Sequence, residues 1–75
     1  MDFKTLYKTW ERSNAWKIAC GAWRITVEAK KVGSNRRPKS YDTYEEIEKL
    51  FNKEVVSWDV ECYSHNHYVM SIQYN

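Results

Sequence analysis

Seventy-five residues leave room for one hydrophobic core, and a chain of that size buries roughly 60% of the surface its unfolded form exposes. Two glycines, one proline, 43% hydrophobic residues and a dense set of aromatics exclude a disordered, collagenous or linker-like chain and predict a single compact α+β domain over residues 1–75. Net charge is only +2, yet residues 1–39 hold ten Lys/Arg against three acids while residues 40–75 hold two Lys against seven acids, an asymmetry that suggests a basic face for an anionic partner.

The segment DFKTLYKTWER places Phe3, Leu6, Tyr7 and Trp10 at helical spacing, with Asp2 as N-cap, Asn14 as a stop and Lys4, Lys8 and Arg12 facing outward. From Ala15 the period becomes two. Trp16, Ile18 and Cys20 share one face, and then Trp23, Ile25, Val27 and Ala29 alternate with Arg24, Thr26, Glu28 and Lys30. The parity flips at Gly21-Ala22, which a two-residue hairpin turn with Gly first explains, a bulge in one long strand being the alternative. Gly33-Ser34-Asn35 then predicts a loop with Asn35 left-handed, which sets Val27 opposite Tyr41 and sends Lys31 and Arg37 to one face. Pro38 cannot donate to a ladder, so the third strand, about Arg36 to Tyr41, is an edge strand or irregular.

Thr43 followed three residues later by Glu46 has the form of a capping box. The helix it starts should bury Tyr44, Ile47, Leu50 and Phe51 and end near Lys53. Two strands complete the chain, Val55 to Tyr63 and His67 to Tyr74. Their apolar faces match when Val60 pairs with Met70 and Trp58 with Ile72, which puts Val56, Trp58, Val60 and Cys62 toward the core. The expected architecture is an antiparallel sheet of four or five strands with two helices on one face, in the order α-β-β-β-α-β-β.

No stretch approaches the roughly 20 apolar residues of a membrane span, and Met1-Asp2-Phe3-Lys4 lacks a signal peptide's basic start and apolar run, so a cytoplasmic protein is expected. Cys20 and Cys62 are too few for a disulfide framework and are expected to be reduced, buried thiols. Cys62, His65 and His67, with Cys20, have the donor chemistry of a zinc site, but the strand register turns His67 away from Cys62 and no second ligand pair completes the set. No nucleophile stands beside an oriented base, and two glycines make no phosphate-cradling loop. Neither an enzyme nor a cofactor is expected.

The strongest functional feature is Lys30, Lys31, Arg36, Arg37 and Lys39, five cations and no acid on one hairpin. Such a hairpin suits nucleic-acid phosphates or an acidic protein surface, and edge protection alone rarely calls for five charges of one sign. Tyr63 and His67, on the predicted outer face of the last hairpin, are secondary contact candidates.

The order α-β-β-β-α over the first half of the chain resembles the double-stranded RNA-binding domain. That family opens its second helix with a lysine-rich phosphate-binding run where this chain has Asp42, Glu45 and Glu46, so none of its binding residues carries over. A short chain with dense aromatics, oppositely charged halves and strands running into KSYDTYEEIEKLF also resembles the small phage-encoded inhibitors of bacterial defence, anti-CRISPR proteins among them. That resemblance implies a stoichiometric blocker of a host nuclease or effector complex, in the host cytoplasm. Direct nucleic-acid binding by the same hairpin is the alternative, and an oligomer joined through edge strands is a third.

Overall fold

The computed structural model describes residues 1–13, 24–64 and 67–75, with Arg12, Ser13 and Tyr63 described by backbone alone. In chain order the elements are helix α1 (Phe3–Ser13), strand β1 (Arg24–Lys31), strand β2 (Lys39–Tyr41), helix α2 (Tyr44–Glu48), strand β3 (Val55–Ser64) and strand β4 (His67–Tyr74). The predicted hairpin through Trp16, Ile18, Cys20 and the Gly21-Ala22 turn lies outside the described residues.

Helix α1 begins where the sequence places its cap: the Thr5 amide donates to Asp2 Oδ1 at 2.8 Å, and hydrogen bonding from the Thr5 side chain, then from its amide, holds the Asp2 carboxyl below its usual pKa. The start is also tied to the segment before β3, because the Phe3 amide donates to the Lys53 carbonyl and the Val55 amide to the Met1 carbonyl. Helix α2 carries the full capping box, the Glu46 amide donating to Thr43 Oγ1 at 3.2 Å and the Thr43 amide to Glu46 Oε1 at 3.3 Å. Its five helical residues then give way to turns through Asn52, and of its expected buried face Ile47 and Leu50 are buried, Phe51 is half-buried and Tyr44 is exposed.

The four described strands form one sheet in the order β2-β1-β4-β3. β1 pairs antiparallel with β2 at Val27–Tyr41, and β4 pairs antiparallel with β3 at Val60–Met70 and Trp58–Ile72, all three as the apolar parity requires. The sheet is nevertheless mixed rather than antiparallel, because β1 runs parallel to β4 over eight rungs from Arg24–His67 to Lys31–Tyr74. A period-two pattern fixes which face a side chain takes and leaves strand direction open. The long connection through β2, α2 and β3 supplies the crossover that a parallel pair needs.

Both helices pack on one face. Phe3, Leu6 and Tyr7 of α1 join Ile47 and Leu50 over Val27 and Ala29 of β1 and Met70 and Ile72 of β4. Phe51 lies 6.1 Å from Phe3 and 5.7 Å from Tyr7 between ring centroids, spacing at which tilted rings attract beyond their buried area. A satellite cluster sets Trp10 against Tyr68 and Trp58. Among the described residues no helix is long and apolar enough to cross a membrane.

Three details depart from the sequence pattern. β2 is three residues long and starts after Pro38, and the left-handed residue of the preceding loop is Gly33, at φ +83°. A bulge between Val55 and Ser57 turns Val55 inward and leaves Val56 exposed. Trp58 and Cys62 share the helix-side parity of β3 yet are exposed, since β3 is the last strand in the sheet and has a described neighbour on one side. Burial therefore distinguishes two positions that the sequence treats alike. Met70→Ala, at a fully buried site between β1 and β3, should lower stability by about 3 kcal/mol, while Val56→Ala should change it by less than about 0.5 kcal/mol, read as urea midpoints at unchanged slope.

Candidate functional site: a basic groove beside the paired ends of β1 and β4

The last rung of the parallel pair, Lys31–Tyr74, meets the loop that leads to β2. The ladder continues one step past it, the Val32 amide donating to the Tyr74 carbonyl at 2.8 Å. Tyr74 is thereby fixed beside a segment of the chain more than thirty-five residues away from it in sequence. β2 adds Lys39 and Tyr41 on the same face, by pairing with Ala29 and Val27. In the loop the Arg36 amide donates to Ser34 Oγ at 3.1 Å, which shapes the backbone that presents Arg36 and Arg37.

Together these residues enclose a groove of about 400 Å³. Its floor is Ala29, whose small side chain leaves the space open, and its walls carry Tyr41 and Tyr74, both half-buried. Lys30, Lys31, Arg36, Arg37 and Lys39 line it, all five cations singled out from the sequence, and no carboxylate does. Among the described residues no ion pair ties any of the five to an acid. Ammonium groups also sit over the tyrosine rings, Lys39 Nζ at 5.3 Å from the Tyr41 centroid and Lys53 Nζ at 5.4 Å from that of Tyr74. At such exposed sites a cation–π contact contributes about 0.5–1 kcal/mol, less than the 1–3 kcal/mol of an aromatic ring stacked on a nucleobase.

The Tyr41 phenol is pushed above its ordinary pKa of 10.0, first by burial and then by the neighbouring Tyr74 and Glu46. It therefore stays a neutral hydrogen-bonding group beyond the pH at which a free tyrosine ionises. Tyr41 and Tyr74 are groove residues that sequence reasoning misses, as it misses Lys53 over the Tyr74 ring. Parity assigns both tyrosines to the core face, correctly, but the groove opens on that same face where no helical residue lines it.

His67 is not brought to the groove. It stands on the first rung of the parallel pair, seven strand steps or about 23 Å from the last. There it is half-buried, with Nε2 2.7 Å from Thr26 Oγ1, and Thr26 Oγ1 donates to Asp42 Oδ1 at 2.7 Å. The single hydroxyl proton goes to Asp42, so Oγ1 accepts and His67 Nε2 is the protonated nitrogen. Arg24 lies 3.8 Å from the same carboxylate oxygen. This chain of bonds ties β4 through β1 to the segment between β2 and α2. Tyr63 belongs to β3 by backbone, and its side chain lies outside the described residues, as do Cys20 and His65 of the zinc set. Among the described residues no three His, Cys, Asp or Glu are grouped to hold a metal ion.

Comparison with protein-family models, with characterised proteins and with solved structures finds no match to the chain. The functional reading therefore rests on the groove and its residues.

Thr26 is buried while the Asp42 side chain is half-exposed, so breaking their bond loses less than in a dry core. Thr26→Val should cost about 1–2 kcal/mol of unfolding free energy, and Thr26→Ser, which keeps the hydroxyl, should recover most of it. Equal urea midpoints for Val and Ser at this position would show that the bonded chain adds nothing.

Proposed function

We propose that this chain is a non-enzymatic binding protein that attaches through its basic 30–39 hairpin to a host nucleic-acid-handling protein or nucleoprotein complex and blocks it. The observation that carries the reading is the concentration of five cations around one groove with no carboxylate among its lining residues. Two unit charges 10 Å apart in water repel by about 0.4 kcal/mol, so the cluster costs the folded chain several such terms that a polyanionic partner would reverse. A solvated hairpin would lower that cost by interspersing acids, and the second half of the chain carries seven.

The resemblance in chain type to small phage-encoded inhibitors supplies the class of target. Such targets keep acidic catalytic surfaces or bound nucleic acid, and both complement this groove. Long-range attraction would speed encounter and hold orientation, with the rim cations acting mainly on the association rate. No cofactor enters this reading.

The test is the paired reversal Arg36→Glu and Arg37→Glu. Both side chains are exposed, so the variant should unfold at the same urea concentration as the parent. Immobilised parent protein should retain a nucleic-acid-handling protein or complex from a bacterial lysate, and the reversed variant should lose at least about tenfold of that retention. Undiminished retention by the reversed variant would contradict the assignment of the hairpin as the contact surface.

A further inference from the structure

We propose that the groove is a site for single-stranded nucleic acid, with backbone phosphates on Arg36, Arg37 and Lys39 and one unpaired base set against Tyr41 or Tyr74. The inference rests on the reading of the basic hairpin as the contact surface and adds what the groove itself receives. Its volume, about 400 Å³, falls within the roughly 300–1,000 Å³ of small-molecule sites and admits one nucleotide unit.

The arrangement of chemistry within the groove favours this ligand. Cations stand at the exposed rim and half-buried aromatic rings lie behind them, which matches a charged backbone outside and a flat apolar base inside. An acidic protein surface would meet the rim and leave both tyrosines unused. Lys39 and Lys53 already lie over the two ring faces on flexible stems. An incoming base takes the ring face, and each displaced ammonium moves onto an adjacent phosphate, so the cation is kept rather than lost. In a duplex the base faces are stacked on one another, and recessed rings cannot reach them. Recognition by stacking and charge predicts little sequence preference.

The experiment is fluorescence anisotropy of a labelled twelve-residue oligothymidylate and of a matching duplex, titrated with the full chain at several salt concentrations. The single strand should bind more tightly than the duplex, with log affinity falling by about 0.7 per phosphate contact against log salt. Alanine at the ring that takes the base, Tyr41 or Tyr74, should weaken binding on the order of tenfold without changing that slope, and phenylalanine at the same position should restore it. The Phe variants keep the ring, so they separate lost stacking from lost folding. The Arg36→Glu, Arg37→Glu pair should abolish binding.

Alanine variants that bind like the parent, or a duplex that binds as tightly as the single strand, would overturn the proposal. Failure to bind any oligonucleotide, with protein capture still dependent on Arg36 and Arg37, would overturn it and leave an acidic protein as the occupant of the hairpin. Loss of both dependences would remove the proposed function as well.

Discussion

The parallel register between β1 and β4 is the constraint on which the rest of this structure depends. It occupies the centre of the sheet, supplies Val27, Ala29, Met70 and Ile72 to the core, and leaves β2 and β3 to pair on either side. At one end it sets Arg24 beside His67, where Thr26 and Asp42 complete a bonded chain. At the other it sets Tyr74 beside Lys31 and so gives the basic hairpin its second wall. A shift of one rung would turn Tyr74 to the opposite face and leave the cations on an open loop.

Parallel pairing is demanding for so short a chain, because both strands must be ordered before the connection between them is rewarded. The connection itself helps. Thr43 and Glu46 start α2 with purely local bonds, and Val60 pairs with Met70 between strands close in sequence. The aromatic rings of Phe3, Tyr7 and Phe51 then draw α1 onto α2. Backbone bonds from Phe3 to Lys53 and from Val55 to Met1 close the N-terminus onto the entry of β3. Ala29, Tyr41 and Tyr74 of the groove pack with this framework, whereas its five cations stand outside it, so their mutual repulsion falls on side chains that the core does not use.

What the sequence makes legible follows the range of the physics involved. The capping box at Thr43, the Asp2 cap and the pairs Val27–Tyr41 and Val60–Met70 are decided by neighbours or by hairpin parity, and each stands in the structure as the residues require. The direction of β1 against β4 is not, since Ile25, Val27 and Ala29 present the same face to a parallel or an antiparallel partner. Nor does a strand's own sequence say whether it ends a sheet, which is why Trp58 and Cys62 read as core and stand exposed. The five cations of the candidate site are visible as a run, whereas Tyr74 reaches the groove through tertiary pairing alone. Parity offers His67 as a contact residue, and in the structure its Nε2 lies 2.7 Å from Thr26 Oγ1, away from the groove.

The central claim is that one site is assembled from the 29–41 hairpin and the end of β4. Amide chemical-shift mapping of the isotopically labelled chain during titration with oligothymidylate tests it most directly. Shifts should concentrate between Ala29 and Tyr41 together with Tyr74 and Asn75, distant in sequence and adjacent across the groove. Shifts confined to the Lys4 and Lys8 side of α1, or to Arg36 and Arg37 with Tyr41 and Tyr74 unmoved, would contradict it.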